Sequence, residues 1–286
     1  MTVSGADRRG GVSGATHVAG VIGWPVAHSL SPQIHNAAFA AMDLDWTYVP
    51  LAVPPGRMGE ALGGLVALGF AGANVTMPHK TDAARLVDER SEDAERLAAV
   101  NTIVVGEAGT VGHNTDAPGF DRFLRLDVGF DPAGRTALLF GAGGAARACA
   151  VSLGRSGLAR LIVALRDAAR AEPIRAALTG MPTELDVVGF DDAAGVSADL
   201  LVNATPLGAH GESLPLPPWS STSVAIDLLY RPVSTPLLEE ARRAGAVAHG
   251  GIGLLLQQAA LSFELWTGQP APLGVMSAAA LAALGT

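Results

Sequence analysis

Ala137-Leu138-Leu139-Phe140-Gly141-Ala142-Gly143-Gly144-Ala145-Ala146-Arg147 runs four apolar residues into a glycine cluster, and an alanine-rich helical pattern continues to Ser156. This predicts a strand, a tight turn and a helix, with small residues at 141, 143 and 146 in G-x-G-x-x-A spacing. Glycine permits positive φ and lets a pyrophosphate approach the backbone, while Ala146 lets the helix pack closely on the strand. The free N–H groups and positive dipole end of the helix then face the phosphates. Because 35 of the 286 residues are glycine, an ordinary turn is the competing reading of the string alone. Its place directly after an apolar strand favours a dinucleotide site built from Gly141, Ala142, Gly143, Gly144 and Ala145.

Outward from this turn the chain keeps one rhythm. Apolar runs at 136–140, 161–165, 185–188, 200–203, 224–227 and 247–249 predict a doubly wound sheet of about six strands. Upstream, strands are expected at 18–22, 46–51 and 71–75, and helices at 33–42 and 57–68, the first with Ser31-Pro32 as its cap. Residues 101–105 and 110–113 flank Gly106 and Gly109 as a hairpin. The charged stretch 82–97 reads as one or two solvated helices. Two apolar helices, 252–265 and 272–284, have no strand after them and are free to pack on the first half. The expectation is an α/β protein of two domains. Residues 1–116 with 252–286 form a substrate domain, of which 1–17 is a loose tail, and 117–251 form a Rossmann-type dinucleotide-binding domain.

Composition narrows the partners. With 49% hydrophobic and 16% charged residues, a large core is available. The net charge of −8 argues against nucleic acid and anionic membranes. Cys149 is the single cysteine, so no internal disulfide forms, which fits the reducing cytoplasm. Residues 1–16 lack the apolar core of a secretory signal, and 265–286 are interrupted by Gly268, Pro270 and Pro272, which argues against a membrane span. The seven histidines show no metal-ligand spacing, so no metal is expected.

Three polar clusters in the first half are unusual for packing alone. In 23–36, Ser29 and Ser31 stand between a strand end and a helix start, where hydroxyls and N–H groups can bind a carboxylate or simply cap the helix. In Asn74-Val75-Thr76-Met77-Pro78-His79-Lys80, the lysine follows a strand end among neutral neighbours, placed either as a proton donor or as a solvated charge. The third cluster is Asn101-Thr102 with Gly112-His113-Asn114-Thr115-Asp116, at the expected junction between domains.

These clusters, in this order and followed by the glycine turn, resemble the shikimate dehydrogenase family. Further matching motifs are Asn203-Ala204-Thr205-Pro206-Leu207-Gly208, Tyr230-Arg231-Pro232 and Gly251-Ile252-Gly253-Leu254-Leu255-Leu256-Gln257-Gln258. The resemblance runs from about Val18 to the C-terminus. It implies reversible NADP-dependent reduction of 3-dehydroshikimate to shikimate, on the way to chorismate and aromatic amino acids, by a monomer or homodimer. Carried over by position, Lys80 and Asp116 would form the catalytic pair. Ser29, Ser31 and Tyr230 would hold the substrate carboxylate, and Thr76, Asn101, Asp116 and Gln258 its ring hydroxyls. Thr205 and Gly251 would lie beside the cofactor.

One departure bears on the cofactor. Where NADP-using members carry Asn-Arg-Thr and a second arginine, this chain has Leu165-Arg166-Asp167-Ala168-Ala169-Arg170. Arg166 and Arg170 favour a 2′-phosphate clamp, whereas Asp167 would repel a phosphate or accept the free hydroxyl of NAD. The resemblance therefore leaves open an NAD-dependent quinate/shikimate dehydrogenase, and also a ligand sensor on the same fold. Ser31, at a position where threonine accompanies quinate use, points to shikimate.

Overall fold

The computed structural model describes residues 12–219 and 223–285. Of the tail expected at 1–17, residues 1–11 lie outside the described residues, while the Thr16 hydroxyl donates to Asp45 Oδ1 at 2.7 Å and His17 already belongs to a strand.

The first unit comprises β1 (His17–Gly23), α1 (Ser31–Ala41), β2 (Trp46–Ala52), α2 (Met58–Ala67), β3 (Gly72–Val75), α3 (Lys80–Leu86), β4 (Glu89–Arg90), α4 (Glu92–Leu97), β5 (Thr102–Gly106) and β6 (Gly109–His113). Its sheet runs β2-β1-β3-β5-β6-β4, parallel across β2-β1-β3 and antiparallel across β3-β5-β6. The hairpin falls where Gly106 and Gly109 placed it. The parallel strands bury both faces: Ile22 and Val75 pack under α2 and α3, and Ala19 and Val21 pack under α1. The charged stretch differs from expectation, because Glu89 and Arg90 add a short parallel strand beside β6 between its two helices.

α5 (Asp116–Arg122) then runs into a π-helical stretch, Phe123–Val128, and leads to the second unit. There β7 (Thr136–Phe140), α6 (Gly144–Arg155), β8 (Arg160–Leu165), α7 (Glu172–Ala177), β9 (Glu184–Gly189), β10 (Leu200–Asn203), β11 (Val224–Asp227), α8 (Pro236–Arg243) and β12 (Val247–Gly250) form an all-parallel sheet in the order β12-β11-β10-β7-β8-β9. The order reverses between β7 and β10, which opens a crevice at their carboxyl ends.

α9 (Ile252–Thr267) and α10 (Leu273–Leu284) return to the first unit. Phe263, Ala259, Ala260, Met276 and Ala280 close one core with Ile34, Phe39 and Tyr48. No helix among the described residues is long and apolar enough to cross a membrane.

α4 is more than a solvated helix. Arg96 donates to the carbonyls of Ala177 and Thr179, each at 3.2 Å, and Arg155 of α6 pairs with Asp93. Arg147, also on α6, donates to Leu97 O at 2.8 Å. These bonds join the two units on the side of α4, and the cleft opens elsewhere between them.

Candidate active site

The cleft encloses about 210 Å³ and is lined from both units. Ser29, Ser31, Thr76, Lys80, Asn101 and Asp116 come from the first, Ala145, Leu228, Tyr230 and Gly251 from the second, and Gln258 from α9. All eight side chains expected at the substrate therefore meet in one cleft, although they come from stretches far apart in the chain.

Lys80 opens α3 and Asp116 opens α5. Lys80 Nζ donates to Asp116 Oδ2 at 2.5 Å, with the two side chains 23% and 13% exposed. The pair is thus shielded from bulk water yet reachable by it. Asn101 Nδ2 donates to the other carboxylate oxygen at 2.8 Å and to Thr115 Oγ1 at 2.9 Å, which fixes the plane of the Asp116 carboxylate. The turn ahead of Lys80 is equally held: Thr76 N donates to Ile22 O at 2.9 Å, His79 Nε2 bonds Val53 O at 2.7 Å, and Val100 N donates to Lys80 O at 2.9 Å.

Beneath this pair lies a buried polar network that joins Asn74 and Thr102, from the polar clusters, to Tyr48 and Ser262, which sequence reasoning missed. Asn74 Nδ2 donates to Thr102 Oγ1 at 3.0 Å and Ser262 Oγ at 2.9 Å, and Asn74 Oδ1 accepts from the Tyr48 hydroxyl at 2.7 Å. Buried polar groups need such partners to offset lost hydration. The sequence signal for it was confined to Asn74 and Thr102, uncharged polar residues at strand positions facing a core.

Ser31 corrects one expectation. It is the first residue of α1, the residue before it is Leu30, and no side chain caps the helix. Ser29 Oγ instead accepts the Ser31 N–H at 3.2 Å. Gln258 Nε2 donates to Leu255 O at 2.9 Å, which anchors the side-chain amide at the cleft wall. Burial pushes the Tyr230 phenol upward, so it remains a hydrogen-bond donor at the cleft.

The glycine turn fits a dinucleotide. Gly141 has φ +104°, and a Cβ there would meet Ala204 O at 3.1 Å. Space is open around the Cβ positions of Gly143 and Gly144, α6 starts without a side-chain cap, and its first turn holds no acidic residue. Those features suit a phosphate. Of the turn, Ala145 reaches the cleft wall. Cys149, on the inner side of α6, is fully buried and its thiol is pushed upward by burial.

Thr205 follows β10, where its N–H and hydroxyl donate to Asn203 Oδ1 at 3.0 and 2.7 Å. Asn203 in turn donates to Asp227 Oδ1 at 3.0 Å, and Asp227 Oδ2 accepts from Thr235 at 2.7 Å. Asp227, another residue missed from sequence, thereby ties the Thr205 turn to the segment carrying Tyr230. Gly251 sits so close to this segment that a Cβ would lie 2.0 Å from Leu228 O. At the end of β8, Arg166, Asp167 and Arg170 are exposed, and Asp167 Oδ1 accepts from Ala169 N at 3.0 Å. This carboxylate is turned back onto its own loop, which weakens its case as a ribose ligand.

A parallel dinucleotide-binding sheet facing a second α/β unit, with an ammonium–carboxylate pair in the cleft they share, defines a two-domain nicotinamide-dependent oxidoreductase. Residues 21–103 match the shikimate dehydrogenase substrate binding domain and residues 251–281 the shikimate 5'-dehydrogenase C-terminal domain. A shikimate dehydrogenase (NADP(+)) of Geobacter metallireducens is 44% identical over 96% of this chain and 99% of its own. The shikimate 5-dehydrogenase of Thermus thermophilus, solved with NADP(H) and shikimate, superposes with a TM-score of 0.85 at 36% identity, covering 94% of this chain and all (100%) of its own. Quinate dehydrogenase from Corynebacterium glutamicum, solved with NAD, gives a TM-score of 0.83 at 30% identity, covering 93% and 99%. The chain belongs to the shikimate dehydrogenase family.

Proposed function

We propose that this chain reduces 3-dehydroshikimate reversibly to shikimate with NADPH, and that residues 1–116 with 252–286 hold the substrate while 117–251 hold the cofactor. The observation that supports it best is the 2.5 Å contact of Lys80 with Asp116 in the cleft shared with Ala145. NADPH, when bound, supplies the hydride. Reduction of a ketone places negative charge on its oxygen, and the Lys80 ammonium stabilises that charge and gives up a proton to it. Asp116, held by Asn101, aims the ammonium and accepts from the neighbouring ring hydroxyl. Partial exposure of Lys80 lets solvent return the proton.

Ser29, Ser31 and Tyr230 offer three hydroxyls to the substrate carboxylate, and Thr76, Asn101 and Gln258 offer amide and hydroxyl groups to the ring. Gly141, Ala142, Gly143, Gly144 and Ala145 would receive the pyrophosphate, Thr205 and Gly251 the nicotinamide end, and Arg166 and Arg170 the 2′-phosphate. The cytoplasm, which keeps Cys149 reduced, is the proposed compartment.

The test is a spectrophotometric assay that crosses shikimate and quinate with NADP+ and NAD+. The expected preference is for shikimate with NADP+. A dominant quinate activity with NAD+ would assign the chain to the other branch of the family, and no turnover with any pair would leave a ligand-binding role.

A further inference from the structure

Arg166 and Phe190 follow directly on the carboxyl ends of two adjacent strands. β8 and β9 pair in parallel up to Leu165 opposite Gly189, and Arg166 and Phe190 are the next residue on each. The Arg166 guanidinium carbon lies 5.2 Å from the centroid of the Phe190 ring, within range of a cation–π contact. The ring is itself fixed, because it meets Phe140 edge-on at 5.7 Å and 69°. Phe140 is fully buried and immediately precedes Gly141. A flexible, exposed arginine is therefore referenced through two rings to the glycine turn.

We propose that Phe190 is a specificity-determining positioning residue for the cofactor. It holds the Arg166 fork over its own ring, beyond the carboxyl ends of β8 and β9, on the side of the sheet where the adenosine ribose of a dinucleotide sits in this sheet type. An unsupported arginine would lose rotamer freedom on gripping a phosphate, and a pre-placed one loses less. Asp167 Oδ1 accepts from Ala169 N at 3.0 Å, so that oxygen is engaged by its own turn. The inference rests on the reading of Arg166 as a 2′-phosphate ligand.

Direct binding to the free enzyme tests it, by titration calorimetry with NADP+ against NAD+ and with adenosine 2′,5′-bisphosphate against adenosine 5′-monophosphate. Phe190→Leu keeps an apolar side chain against Phe140 and removes the ring face. It is expected to weaken NADP+ and the bisphosphate about three- to fivefold, as an exposed cation–π contact allows, with NAD+ and the monophosphate unchanged. Phe190→Tyr should restore the wild-type ratio. Added to Arg166→Ala, Phe190→Leu should cost nothing more, since the residue it positions is gone. Equal weakening of both cofactors, or a full additive loss in the double variant, would overturn the proposal and leave Phe190 a packing residue. Loss of NADP+ affinity in Arg166→Ala but not in Phe190→Leu would overturn it while sparing the 2′-phosphate reading. An Arg166→Ala enzyme with normal NADP+ affinity would remove that reading as well.

Discussion

Ser29 Oγ accepts the backbone N–H of Ser31 at 3.2 Å, so the turn into α1 is closed by the first serine and the second is released from capping. Ser31 is only 7% exposed, and it lines the cleft beside Ser29. Two hydroxyls are thereby presented at one spot, the arrangement a carboxylate needs.

Ser31→Thr keeps the hydroxyl and adds one methyl group to a closely packed position. The ratio of quinate to shikimate specificity constants should rise about 10-fold, the scale of a one-methylene discrimination. Steady-state assays with both substrates check this. An unchanged ratio, with both activities measurable, would take Ser31 off that part of the pocket.

At the cofactor, Asp167→Thr removes a negative charge beside Arg166 and Arg170 while a hydroxyl can still cap the turn at 168–171. NADP+ should bind about two- to fivefold tighter, matching the ~0.2–1 kcal/mol of an exposed charge interaction. NAD+ affinity should stay the same. Loss of NAD+ affinity on this substitution would show Asp167 to be a ribose ligand.

The second half of the fold was legible because its central parallel strands, β7, β8, β10 and β11, are short, mostly apolar and buried runs, and the two outer strands fall where the same rhythm placed them. β4 was not, since Glu89 and Arg90 are exposed and carry no apolar pattern; only pairing with β6 makes them a strand. Lys80, Asp116 and Asn101 were found through motif resemblance, as nothing in local spacing brings together residues 36 apart. Tyr48, Ser262 and Asp227, and the part Asn74 plays in bonding the first two, were missed for a different reason. Their significance lies in bonds to residues distant in sequence, and each by itself reads as an ordinary core or turn residue. The role of Asp167 turned on a side-chain direction that only the 168–171 turn reveals.

His35 offers a pH test of the core. It is fully buried, stacks on Tyr48 at 4.5 Å, and neither ring nitrogen makes a well-formed hydrogen bond. Burial, slightly offset by the nearby Asn74 amide, lowers its pKa from 6.5 to about 3. The folded protein therefore keeps His35 neutral while the unfolded chain takes up a proton below the ordinary value. Stability from this group is complete above about pH 6.5 and declines as pH falls toward 3, by at most about 1.4 kcal/mol per pH unit. His35→Phe retains an aromatic stack and should flatten this acid limb in denaturant titrations at pH 7, 6, 5 and 4. Parallel limbs for the two proteins would mean that His35 is protonated, or hydrated, in the folded state.

The role of Lys80 is tested most directly by separating chemistry from binding in Lys80→Ala. Turnover of shikimate with NADP+ should fall about 10²–10⁴-fold, the range of a positioned acid–base group. Shikimate dissociation constants, measured by calorimetry, should change far less, because the lost interaction is strongest in the transition state. Near-normal turnover in Lys80→Ala, or a loss confined to shikimate affinity, would contradict the assignment of the Lys80–Asp116 pair as the proton-transfer machinery.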